Sequence, residues 1–192
     1  MAAIDQTTSR TQRADARRNR ERILAAARQI VAEQGAAAQI HDVARSAGVG
    51  VGTVYRHFPT KEALIGELIS ECARANVARG RQALAEGGDP WASFERMVRN
   101  ACTAMSEDAI QRRVWNAATP QALAHAEAAK SEMRSVCSEV IARAHEAGSL
   151  RADFSVDDMP GLMCGLAAAI DAGPPGGWQR LVEFALDGLR TR

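Results

Sequence analysis

Thr53, Tyr55, Arg56, His57 and Lys61 place a hydroxyl, a phenol, a guanidinium, an imidazole and an ammonium within nine residues, directly after Gly48-Val49-Gly50-Val51-Gly52. All five side chains can donate hydrogen bonds, and none is a carboxylate. Such a set matches an acceptor-rich polyanion, the phosphates and base edges of a nucleic acid. The glycines leave the backbone bare, so a surface can approach it closely. The chain's only tyrosine stands here, as does one of its two lysines among 24 basic residues.

No other constellation in the sequence carries comparable chemistry. There is no GxSxG elbow, no HExxH pair and no Walker loop, and no carboxylate cluster falls on facing helices, so an enzyme is not expected. His57 has no second ligand at helical spacing, and Cys137 and His145 lie eight apart, too far for a two-ligand clip. No metal and no cofactor are expected. The four cysteines, Cys72, Cys102, Cys137 and Cys164, each sit in an apolar helical pattern without CxxC spacing and read as reduced core thiols. The first residues lack the apolar core of a signal peptide, and no run approaches the about 18 apolar residues of a membrane span. The expectation is a soluble cytoplasmic protein.

The elements that must hold the donor cluster read as helices throughout. Residues 1–15 are polar and are expected to form a disordered basic arm. In residues 16–34, Ile23, Leu24, Ala27, Ile30 and Val31 recur at three- and four-residue steps before Gly35. Ile40, Val43, Ala44 and Ala47 make a short second helix closed by Gly48. A third runs to Phe58, stopped by Pro59. Thr60 caps a long fourth. Asp89-Pro90 and Thr119-Pro120 each combine an N-cap with a proline at the first helical position. Ser155, with Asp158, opens another helix through a capping box. The total is about nine helices with no strand: an all-α chain.

The second helix, the turn Gly48-Val49-Gly50 and the third helix have the dimensions of a helix-turn-helix, whose second helix enters the major groove N-terminus first. Charge agrees: residues 1–62 carry a net +4 and residues 63–192 a net −3. Arg10, Arg13, Arg17, Arg18, Arg20 and Arg22 form a basic arm that either tracks phosphates or is simply solvated.

The segment from Arg20 to Leu68 resembles the DNA-binding domain of the TetR family of bacterial transcriptional regulators. The resemblance is carried by Ile23-Leu24-Ala25-Ala26-Ala27, Glu33-Gln34-Gly35, Val43-Ala44, Ala47-Gly48-Val49, Gly52-Thr53-Val54-Tyr55-Arg56-His57-Phe58 and Lys61-Glu62-Ala63-Leu64. It implies that Tyr55 and Lys61 contact operator phosphates, that Thr53 and His57 reach phosphate or base edges, and that Val51 and Gly52 face the groove. Two departures stand out. Ala36-Ala37-Ala38 occupies the place of the family's aromatic, and Gln39 stands where Thr or Ser opens the second helix. Gln is a poor N-cap, a loss for which His41 compensates if it reaches DNA itself.

The resemblance further implies that residues 63–192 enclose a small-molecule cavity and dimerise, with residues 16–62 as the DNA-binding domain. Phe94, Met105, Trp115, His125, Met133, Cys137 and Met163 are the candidate effector contacts, and walls rich in methionine suit an apolar or amphipathic ligand. The last two helices, with Met159, Leu162, Leu166, Trp178, Leu181, Val182, Ala185 and Leu189, are expected to pair with a second copy as a four-helix bundle. The expected function is a homodimeric repressor of a palindromic operator in double-stranded DNA, released by a small molecule. An activator of the same fold and an architectural DNA-binding protein are the alternatives.

Overall fold

The computed structural model describes residues 3–174 and 176–191, with side chains from Ala14 onward. Helix α1 spans Ala3–Gln34 and runs into a 3-10 turn at Gly35–Ala37. There follow α2 (Ile40–Ala47), α3 (Val51–His57), α4 (Lys61–Ala85), α5 (Pro90–Glu107), α6 (Ala109–Asn116) and α7 (Pro120–His125). The last three are α8 (Glu127–Glu146), α9 (Met159–Ala172) and α10 (Gly177–Leu189). Among the described residues the only β feature is an isolated antiparallel bridge between Leu150 and Arg190.

Local sequence signals set most of these boundaries. Thr60 Oγ1 accepts from the Ala63 amide at 3.0 Å, Asp89 Oδ1 from Trp91 at 3.2 Å and Thr119 Oγ1 from Ala122 at 3.2 Å. Three boundaries depart from expectation. The stretch read as a disordered arm is helical from Ala3, because no glycine or proline interrupts the chain before Gly35. The single long helix expected after Pro120 is two, α7 and α8, divided at Ala126 (φ −97°, ψ 5°), which raises the count to ten. Helix α9 begins at Met159 rather than near Ser155. The capping box does form, with the Ser155 amide donating to Asp158 Oδ2 at 2.7 Å. Pro160, however, has no N–H to bond back to residue 156, so regular helix starts only beside it.

The chain forms two compact units. One comprises residues up to Ile69 together with Arg113–His125; the other comprises Ser70–Arg112 and residues from Ala126 onward. In the first, α1 packs on α2 and α3 around Ile23, Leu24, Val31, Val43, Val54 and Leu64, all almost wholly buried. Segment 113–125, which the sequence places in the second domain, belongs to this unit, with Ala122 and His125 lying against Gly66 of α4.

In the second unit α5 packs on α8 and α9, and α9 on α10. Phe94 lies at its centre, edge-on to Phe154 with ring centroids 5.8 Å apart and tilted against Trp91 at 5.6 Å. Arg99 of α5 ties α10 in by donating to both carboxylate oxygens of Glu183, at 2.6 and 2.7 Å. Cys72 and Cys102 are core thiols as expected, and burial pushes the Cys102 thiol up to about 11. Cys164 is exposed, contrary to expectation, on a face of α9 shared with exposed Gly161, Gly165 and Ala168.

Candidate nucleic-acid interface

The turn between α2 and α3 is built from backbone hydrogen bonds. Gly48 takes the left-handed conformation (φ 63°, ψ 40°) that a side chain resists. Its amide donates to the Arg45 carbonyl at 3.2 Å, and the Val49 amide to Ala44 at 3.0 Å, the pairing of a Schellman motif. Arg22 of α1 reaches across to the same corner, donating to the Ala47 carbonyl at 2.6 Å. A Cβ on Gly48 would stand 2.9 Å from that guanidinium, a second reason for glycine there.

From this corner α3 projects with one face held and the other bare. Val54 and Phe58 are buried, while Val51 is 42% and Tyr55 47% exposed, unusual for large apolar and aromatic side chains. Gly52 and Arg56 are exposed beside them, and Thr53 and His57 half-buried. Among the described residues, Tyr55, Arg56 and His57 have no side-chain partner within the chain, so their donors are available. Val51, Gly52, Tyr55 and Arg56 thus lie together on one exposed surface of the first unit. Gln39 and His41 begin α2. Gln39 makes no side-chain cap and instead donates to the Ala37 carbonyl at 3.0 Å, while His41 is exposed beside Asp42.

Lys61 is already engaged. Its Nζ donates to the Ala36 carbonyl at 2.9 Å, a structural role that the sequence does not reveal. An ammonium has three donors, so two remain. The basic arm is likewise partly committed. Arg20 stacks over Phe58 at 5.2 Å and pairs with Glu67 at 2.8 Å, Arg22 holds the turn, and Arg17 and Arg18 pair with Glu21 and Asp15. The side chains of Arg10 and Arg13 lie outside the described residues. An open hollow of about 360 Å³ lies against the same turn, lined by Arg22, Ala25, Gln29 and Ser46 among others; none of the expected effector contacts borders it.

Those expected contacts fall in both units. Phe94 and Met105 are buried in the core of the second unit, with Cys137 and Met163 packed against it. Met133 is half-buried, its sulfur 3.9 Å from Asn76 Nδ2. Trp115 and His125 belong to the first unit.

The residues expected to pair divide by exposure. Met159, Leu166 and Val182 are buried within their own chain, and Leu162, Trp178, Ala185 and Leu189 are half-covered. The uncovered face is formed by Leu181 at 40% exposure and Phe184 at 57% on α10, with Gly161, Cys164, Gly165 and Ala168 exposed on α9. Phe184, which the sequence reading omits, is the most exposed large apolar side chain among the described residues.

Comparison with known proteins fits this geometry. Residues 23–68 match the model described as bacterial regulatory proteins, tetR family, and residues 88–191 the SbtR-like transcriptional regulator C-terminal domain. The transcriptional repressor KstR of Mycolicibacterium smegmatis is 38% identical over 96 residues, 49% of this chain and 47% of that one. The chain thus spans about half the length of that curated relative. The repressor KstR2 of Rhodococcus jostii is 26% identical over 144 residues, covering 72% and 71%. A TetR transcription regulatory protein from Mycobacterium vanbaalenii, known from its crystal structure, is 32% identical with a TM-score of 0.60, over 94% of this chain and 99% of that one.

Proposed function

This chain belongs to the TetR family of bacterial regulatory proteins, a DNA-binding transcriptional regulator, and from that premise we propose that it is a homodimeric repressor released from a palindromic operator by a small apolar molecule. The observation that carries the reading is the exposed, unpartnered face of α3. Tyr55 and Arg56 stand there beside Val51 and Gly52, on a helix whose other face is fixed by Val54 and Phe58. Tyr55, Arg56 and Lys61 contact phosphates; Thr53 and His57 reach phosphate or base edges, and Val51 and Gly52 lie against the groove. Gln39 and His41 meet the backbone from the start of α2.

Repression, rather than activation, rests on KstR and KstR2, two curated relatives named repressors. The matching family models and both of these repressors are transcriptional regulators, and the reading assigns no catalysis and no cofactor. No helix among the described residues is long and apolar enough to cross a membrane. A regulator of chromosomal operators works in the cytoplasm.

A single helix-turn-helix contacts too little DNA for specificity, and two-fold pairing supplies the second half-site. Helix α9 has no charged residue before Asp171, so it is apolar all round, and a helix of that kind is buried on all sides. Its own chain buries Met159 and Leu166 and only half-covers Leu162, Met163, Ala167 and Ile170. Leu181 and Phe184, with Gly161, Cys164, Gly165 and Ala168, form the pairing face.

For the effector, magnitude separates wall from core. Emptying the Phe94 site costs about 3–5 kcal/mol, so Phe94, and Met105 in the same buried cluster, stay core. Met133, Cys137 and Met163, only partly covered, are the adaptable wall against which an apolar ligand settles. Operator binding with and without a library of apolar small molecules tests the reading. A compound that lowers operator affinity in wild type but not in Met133→Trp supports it. Release unaffected by Met133→Trp places the pocket elsewhere.

A further inference from the structure

Arg113 lies outside residues 23–68, the span that matches the DNA-binding model, yet its guanidinium closes the end of α1. Its Nη1 donates to the carbonyls of Ala32 and, at 3.0 Å, Glu33. The last four carbonyls of a helix have no partner inside it, and α1 has no basic residue in its last turn to supply one. A second cation completes the closure from α4, where Lys61 donates to Ala36. The turn held in this way consists of Gly35 and three alanines, of which only Ala38 is buried. It leads directly to Gln39, which provides no side-chain cap for α2. Cations from elsewhere in the chain thus hold the turn that leads into α2, whose body is fixed by the buried Ile40, Val43, Ala44 and Ala47.

We infer that Arg113 is a positioning residue for operator binding. It fixes the turn between α1 and α2, and with it the placement of Gln39 and His41, without touching DNA. The inference rests on the reading of α2 and α3 as the DNA-contacting pair. Two observations support a dedicated role. Val114, next in the chain, is fully buried, so the base of the Arg113 side chain is anchored. Arg112, the preceding residue, is occupied differently, with Nε donating to Asp171 at 2.6 Å and Nη1 to the Met105 carbonyl.

DNA fragments selected by the wild-type protein from random duplexes serve as the probe. Arg113→Gln is expected to weaken binding roughly tenfold, the loss of a charge-assisted contact. The slope of log affinity against log salt should stay at the wild-type value, because no phosphate contact is removed. Arg113→Lys should recover most of the loss, and Arg112→Gln, which removes the same charge one residue away, should bind as wild type. In the free Arg113→Gln protein, amide exchange at residues 39–43 should rise while that of α8 stays unchanged, which separates a moved turn from unfolding. Unchanged affinity in Arg113→Gln overturns the inference. So does equal weakening by Arg112→Gln or a reduced salt slope, which would indicate diffuse charge or direct phosphate contact. If the wild type selects no fragment, the DNA-binding reading fails instead, and exchange at residues 39–43 still decides whether Arg113 holds the turn.

Discussion

Gly66 of α4 and His125 of α7 approach so closely that a Cβ on Gly66 would stand 2.5 Å from the His125 Cβ and 2.8 Å from the Ala122 carbonyl oxygen. Backbone and Cβ atoms cannot swing aside as the end of a flexible side chain can. Gly66→Ala should therefore push α7 off α4 and destabilise the protein by about 1–3 kcal/mol, the usual cost of overpacking. Urea denaturation measures it. A midpoint equal to wild type would show that the two helices are not locked at this point.

The Arg99–Glu183 pair predicts a pH dependence. Hydrogen bonding to the Arg99 guanidinium holds the Glu183 carboxyl below its ordinary value of 4.5. A carboxyl depressed in the folded state binds its proton more readily when unfolded, so it stabilises above 4.5 and that contribution disappears as pH falls through the folded value. The gap in urea midpoint between wild type and Glu183→Gln should be constant from neutral pH down to that region and close below it. The pair is solvent-exposed, so the gap will be small. A gap that persists in acid would assign it to packing.

The pairing face predicts both assembly and thiol reactivity. Phe184→Arg and Leu181→Arg should each give folded monomers, seen by sedimentation, with operator affinity reduced about a hundredfold or more through loss of the second half-site. Cys164 should react slowly with a thiol reagent in the wild-type dimer and rapidly in those monomers. Buried Cys102, its thiol raised to about 11, should stay unreactive in both. A dimer that survives both substitutions, with Cys164 equally reactive throughout, would move the interface elsewhere.

For the DNA contacts, Tyr55→Phe keeps the ring and removes one hydrogen bond, for a loss of roughly two- to tenfold. Arg56→Ala and Lys61→Ala should each lower the salt slope by about one. Lys61→Ala also releases the Ala36 carbonyl, so its affinity should fall further than that of Arg56→Ala. A wild-type slope in Lys61→Ala would assign that residue to the turn alone.

What the sequence discloses here is what local chemistry decides. Thr60, Asp89 and Thr119 cap the helices they precede, and Gly48 closes α2, because each bond is made within three or four residues. The helix-turn-helix is legible for the same reason. The break at Ala126 is not, since it lies just beyond the contact of α7 with Gly66, sixty residues away in the chain. In α9, Met, Leu, Gly, Cys and Ala occur all round, so periodicity cannot tell the face taken by Met159 and Leu166 from the one left bare. The carbonyl partners of Lys61 and Arg113 are backbone atoms, which no side-chain pattern encodes.

The central claim is sequence-specific DNA binding by a two-fold dimer, and selection of bound fragments from random duplex DNA tests it most directly. The account predicts enrichment of an inverted repeat, with half-sites about one helical turn or more apart, two chains bound per duplex, and loss of enrichment in Tyr55→Phe/Arg56→Ala. Retention of DNA without sequence enrichment, or enrichment of a single half-site at one chain per duplex, would contradict it.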